Sequence, residues 1–179
     1  MDYINQTGPN GTNDNIGGTA TICYWAPSSW FTTIQDTEEN LSSVTAFAKL
    51  SQINTAHVFA SGKGFVKVYN TLSSGSIKDT GTGERDGRSM KSEFTGFYPG
   101  SVAEWFGFLR MVKNDKGIFL VPQSDGTVRQ IGTSLFPAEF IMESFDTATQ
   151  ESGRRGTTYK VTSYSSGSQI YTPAIALHP

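Results

Sequence analysis

Residues 88–132 read RSMKSEFTGFYPGSVAEWFGFLRMVKNDKGIFLVPQSDGTVRQIG, and this stretch places a strand, a helix and a hairpin in succession. Arg88–Phe97 alternates, with Met90 and Phe94 facing opposite Lys91, Glu93 and Thr95, the period of a half-buried strand. Pro99-Gly100 breaks it. Ser101 and Glu104 then form an S-x-x-E capping box, in which each side chain can satisfy the other's backbone N–H. Val102, Trp105, Phe106, Leu109 and Val112 follow helical spacing. Lys113 and Lys116 suit the negative end of the helix dipole, and Gly117 suits its stop. Gly107 costs about 1 kcal/mol against Ala in a helix interior; close packing against a sheet is the expected reason for it. Ile118–Val121 and Thr127–Ile131 flank a turn at Gln123–Gly126, where Asp125-Gly126 favours the positive φ angles of tight hairpins.

Downstream, Ala138–Phe145 alternates Phe140 and Met142 against Ile141 and Phe145. The polar loop DTATQESGRRG leads to Thr157–Ser165, where Tyr159 and Val161 alternate with Thr158 and Thr162. Ile170–Leu177 carries Pro173, which lacks a ladder donor, so an edge strand or docked tail is expected. Upstream, Thr19–Trp25 and Phe65–Asn70 read as strands, and SGKG joins His57–Ala60 to the latter as a hairpin. Leu41–Leu50 reads as a short helix. Residues 71–87, TLSSGSIKDTGTGERDG, read as a long loop, and residues 1–18 as an N-terminal arm. The inventory of about eight strands and one helix gives a mainly β fold, a β-sandwich or rolled barrel with one flanking α-helix and extended arms and loops. The arm precedes a single β-rich domain over residues 19–179.

At 179 residues the chain can bury a core without disulfides or metal. Charged residues make up 17% and aromatics 12%, so the chain has more adhesive surface than a solitary monomer needs. A net charge of −2 argues against binding nucleic acid through counterion release. The charge is uneven: in residues 1–60 Lys49 stands alone against Asp2, Asp14, Asp36, Glu38 and Glu39. The N-terminal residues show no basic and apolar signal pattern. No apolar run approaches membrane-spanning length. The sequons at Asn5, Asn10 and Asn40 therefore read as chance.

No stretch dictates a reaction. His57, His178 and Cys23 are not at metal-ligand spacing, and Cys23 reads as a small buried apolar residue. His57 could serve as a base, but no serine shows the G-x-S-x-G elbow. Gly62-Lys63-Gly64 is no Walker motif, and Gly81, Gly83 and Gly87 miss dinucleotide spacing. Glu38-Glu39, and Glu139 with Glu143, are paired carboxylates that read as solvated faces. Arg154-Arg155 could touch phosphate but reads as a solvated turn. Trp25, Trp30 and Trp105 could line a sugar platform, although Trp105 falls on the helix's apolar stripe. No residue is assigned a catalytic, cofactor-binding or metal-binding role, and no enzyme activity is expected.

The order RSMKSEFTGFYPG, SVAEWFGFLRMVKND, GIFLVPQSDGTVRQIG, FPAEFIMESFDTAT and GTTYKVTSYSS, over residues 88–165, resembles virion structural proteins of tailed bacteriophages in the tail-tube and tail-ring group. The resemblance implies subunits in a ring, commonly six-fold, whose inner strands join into a lumen wall through which DNA passes without specific binding. Its partners would be copies of itself and other tail proteins. Its place would be the virion, assembled in the host cytoplasm. A carbohydrate-binding β-sandwich is the alternative, on the aromatics and the Asn-, Gly- and Ser-rich loops. Residues 1–18 and 71–87 are expected to order only in the assembly, as arms gripping neighbouring subunits.

Overall fold

The computed structural model describes residues 16–37 and 46–179. Among these lie twelve strands and one α-helix. In chain order the strands are β1 (Ile22–Pro27), β2 (Phe31–Thr33), β3 (Gln52–Ile53), β4 (Val58–Phe59), β5 (Val66–Tyr69), β6 (Ser76–Thr82) and β7 (Ser89–Pro99). Helix α1 (Ala103–Val112) follows, then β8 (Lys116–Pro122), β9 (Val128–Ile131), β10 (Ala138–Asp146), β11 (Gly156–Ser165) and β12 (Gln169–Tyr171). Among the described residues the fold is mainly β with a single α-helix, as the patterning implies.

The run Ile118-Phe119-Leu120-Val121 forms the hub, because all four residues are fully buried and the strand is therefore covered on both faces. Strand β8 pairs β1 along one side; along the other it meets β9 and, at Gly117 and Lys116, β10. One branch continues through β9 to β12 and β3, the other through β10, β11 and β7 to β6. Phe119 and Val121 enter a large core with Trp25, Phe94, Phe140, Tyr159 and the helix residues Trp105, Leu109 and Val112. Ile118 and Leu120 enter a second core with Ala26, Ile53, Phe65 and Tyr171. The ten-stranded sheet thus folds over on itself as a sandwich. Two contacts fasten its ends. Thr71 N–H donates to the Phe97 carbonyl at 2.9 Å, bridging β5 to β7. Arg129 of β9 holds Asp79 of β6 at 2.5 Å, and Ser168, beside β12, donates to the same carboxylate.

Helix α1 stacks Trp105 on Tyr98 at 4.2 Å and 6°. The expected capping box does not form: Val102 is the N-cap, with no side-chain cap. The Ser101 hydroxyl instead accepts from Arg155, and Gly100 N–H donates to the Arg155 carbonyl at 3.0 Å. A long-range guanidinium has taken the place that the local Glu104 backbone N–H would fill in the box. Gly117 lies inside β8 and not at a helix stop. Gly107 is exposed, and a Cβ there would meet nothing within 4 Å, so close packing does not explain it.

Other expectations are corrected by non-local pairing. Residues 76–82 of the expected loop are strand β6, paired with β7 from Ser76↔Thr95 to Thr82↔Ser89; the segment belongs to the fold. Val58–Phe59 pairs with Phe31–Thr33 and forms no hairpin with β5. Met142 is exposed, and a bulge between Met142 and Ser144 flips the face of β10 beyond it, so Phe145 packs on Phe106 at 5.3 Å. Of the expected helix at 41–50, Phe47–Leu50 is a 3-10 turn and the first five residues lie outside the described ones. Of the N-terminal arm, residues 1–15 also lie outside them. Pro173 follows β12, and the tail docks on Phe65, which donates to the Ala176 carbonyl at 2.9 Å and accepts from His178 N–H at 3.0 Å.

Candidate functional site: an open sheet edge and an aromatic groove

Strand β6 ends the sheet, and among the described residues no strand lies along its outer side. Seven residues of extended chain make an edge about 23 Å long at about 3.3 Å per residue. Ser76, Lys78 and Thr80 are exposed on it, whereas Asp79 turns in to Arg129. Among the described strands β5 pairs only β1, but its other side is partly taken: Phe65 is bridged to the C-terminal tail and the Tyr69 carbonyl accepts from the Tyr159 hydroxyl. Exposed large apolar side chains are scattered over the molecule, among them Leu72, Met111, Leu135, Phe136, Ile141 and Met142.

Beside β5 lies a groove of about 440 Å³, floored by β1 and β5 and walled by α1. Its lining includes all three tryptophans, Trp25, Trp30 and Trp105, with Tyr69, Tyr98, Phe108 and Met111. Glu104, Asp115 and Lys67 supply the charges that line it. Trp25 and Trp105 are 1% and 5% exposed, so they present little surface to a sugar. Trp30 is half-buried, with Lys63 Nζ 4.8 Å above its ring and His178 5.0 Å away. The indole N–H of Trp105 has no hydrogen-bond partner among the described residues.

The remaining candidates are dispersed. Cys23 is fully buried, and burial pushes its thiol up to about 12, which makes it a poor nucleophile. His57 is buried against the second core, where it stacks on Tyr171 at 4.8 Å. Burial lowers its pKa, against the opposing pull of its Gln130 hydrogen bond and the Asp36 charge. Glu139 and Glu143 lie exposed on β10 and are each paired with a lysine, Lys116 at 3.6 Å and Lys160 at 3.1 Å. Lys160 also reaches Glu93, which pairs with Lys91, so the outer face of β7, β10 and β11 carries a chain of ion pairs. Arg154 lies 3.6 Å over the Phe97 ring, and Arg155 anchors the helix start; both have structural partners that a solvated turn would not supply. Gly81 and Gly83 flank Thr82 at the β6 end, remote from any helix N-terminus. Glu38-Glu39 lies outside the described residues.

Among the described residues no three of His, Cys, Asp and Glu gather into a metal-holding group. No helix among them is long and apolar enough to cross a membrane. The open edge at β6 was missed in the sequence because its residues look like a loop; the one local signal was the alternation of Ile77 and Asp79 with Lys78 and Thr80. No protein-family model, no curated protein and no solved structure matches the chain.

Proposed function

We propose that this chain is a non-enzymatic structural module that assembles with copies of itself into a ring, in the setting that its element order suggests, a phage tail tube or tail ring. The observation that carries the reading is the open edge of β6. An open seven-residue strand, guarded at its middle only by Lys78 and the inward Asp79, is a hazard to a monomer and a ready joint in an assembly. Joining β6 of one copy to a different surface of the next is a head-to-tail contact, and such contacts close into rings when the rotation allows. The low charge content and the scattered exposed apolar residues fit burial between subunits.

Electron microscopy and light scattering of the purified protein over a range of concentrations test this. Rings or tubes are expected. Ser76→Lys with Thr80→Lys, which lines the edge with three cations including Lys78, should leave a folded monomer. A wild-type protein that stays monomeric at every concentration overturns the proposal.

A second reading, a carbohydrate-binding module, rests on the three tryptophans lining one groove and on the unpartnered Trp105 N–H. A glycan array decides it: binding lost on Trp30→Ala supports it, and silence across the array removes it.

A further inference from the structure

Strands β2 and β4 form a ribbon of their own, outside the large sheet. His57 directly precedes β4, and its ring binds three separate segments. Nδ1 accepts the Gln35 N–H, just beyond β2, at 3.0 Å. An accepting Nδ1 carries no proton, so the proton sits on Nε2 and is donated to Gln130 Oε1 of β9 at 2.9 Å. Gln130 is oriented for this by its own amide, which donates to the Gly132 carbonyl at 3.0 Å. The ring stacks on Tyr171 of β12 at 13°, and the Tyr171 hydroxyl accepts the His57 N–H at 3.3 Å. Phe31 of β2 and Phe65 approach the ring at 5.3 Å and 5.9 Å. Both ring nitrogens are satisfied only while the imidazole is neutral.

We propose that His57 is an acid-sensitive latch that holds the β2–β4 ribbon on the body while its ring is neutral and releases the Gln35 side of the ribbon when the ring gains a second proton. The added proton lands on Nδ1 and sets one donor against another at Gln35 N–H. That part-buried amide then loses its acceptor. Among the described residues the titratable groups facing the ring are few. Asp36, from the segment after β2, favours the cation, but its carboxylate is already engaged by Ser134 N–H at 3.1 Å and by the Ser134 hydroxyl. Tyr171 faces it from β12; Gln130 and Phe65, from the other elements, do not titrate. Burial outweighs these contributions and holds the ring's pKa below its ordinary 6.5. The unfolded or opened ring therefore protonates first as pH falls, and latch stability, fully present above about 6.5, is lost as pH drops through the folded value. Trp30 directly precedes β2, and its carbonyl accepts the Ala60 N–H at 2.9 Å, so that end of the ribbon stays fastened.

Amide hydrogen exchange followed by NMR between pH 7.5 and 5, expressed as protection factors, tests the latch. Protection at Gln35 should fall by up to about tenfold per pH unit below 6.5, while the β8 amides keep theirs. His57→Asn, which retains an acceptor near the Nδ1 position and cannot titrate, should give a flat profile. Equal protection of Gln35 at both ends of the range, the same fall in the Asn variant, or a parallel fall in β8 overturns the proposal. Nitrogen shifts of the wild-type ring provide a check that needs no variant: the Nε2–H tautomer at neutral pH is expected, and Nδ1–H refutes the latch.

Discussion

One substitution, glycine to alanine, should move stability in opposite directions at two sites ten residues apart. Gly107 is the fifth residue of α1, on its exposed side, and a Cβ there meets nothing within 4 Å. Alanine restricts the unfolded chain and removes a helix penalty of about 1 kcal/mol. At roughly 2–4 °C per kcal/mol for a chain of this size, Gly107→Ala should raise Tm by about 2–4 °C. Gly117 lies in β8 between Pro27 of β1 and Ala138 of β10. A Cβ there would overlap the Ala26 carbonyl oxygen and come 2.9 Å from the Trp25 ring. Neither a central-strand backbone nor a core tryptophan can move cheaply, so Gly117→Ala should cost about 1–3 kcal/mol or more. Urea denaturation of both variants at low protein concentration, with calorimetry, reads the two signs. A destabilised Gly107→Ala would mean that α1 packs its outer side on something, and a neutral Gly117→Ala would mean that β1 and β8 are not so closely apposed.

Phe140 is 2% exposed, stacks on Tyr159 at 5.1 Å and meets Trp25 edge-on at 5.7 Å; Phe140→Ala should cost roughly 3–5 kcal/mol in urea denaturation, and a loss under about 1 kcal/mol would show that the helix and sheet do not share this core. Arg129→Met leaves the Asp79 carboxylate without its cation and should cost about 1–3 kcal/mol; an unchanged denaturation midpoint refutes the fastening of β6 to β9. Burial pushes the Asp79 carboxyl up, but hydrogen bonds from Ser168, Arg129 and Ser92, with the guanidinium charge, together hold it below its ordinary 3.8. The unfolded chain therefore protonates first, and this contribution, present above about pH 4, is lost as pH falls through the folded value; the Arg129→Met variant should show a shallower loss in acid. Cys23, buried and with its thiol pushed up to about 12, should resist a disulfide reagent at pH 8 until urea unfolds the protein, and rapid native-state labelling would place it near the surface.

The open edge and the groove differ from the core in how far they could be foreseen. Tryptophans 25, 30 and 105 stand out in any reading of the chain, but their convergence on one groove depends on α1 crossing β1 and β5, which no local pattern encodes. The edge strand β6 was hidden for a related reason. SIKDTGT carries Lys, Asp and Gly where a free-standing strand would carry apolar residues, and its order comes from the β7 ladder and from Arg129, fifty residues away.

By itself the sequence determined whatever depends on neighbours along the chain. The unbroken apolar run of β8, the alternation of β7 and β11 and the helical stripe of α1 are local periods, and each burial pattern follows from them. Only the tertiary structure decided which partners those elements take. It paired β4 with β2 and not with β5, flipped β10 through a bulge, and gave the Ser101 hydroxyl to the Arg155 guanidinium and not to the helix's own N–H groups. The physical reason is one of range: side-chain periodicity is set by the backbone geometry of a few residues, whereas pairing, bulges and competition for a hydroxyl are settled by groups that only folding brings within hydrogen-bond distance.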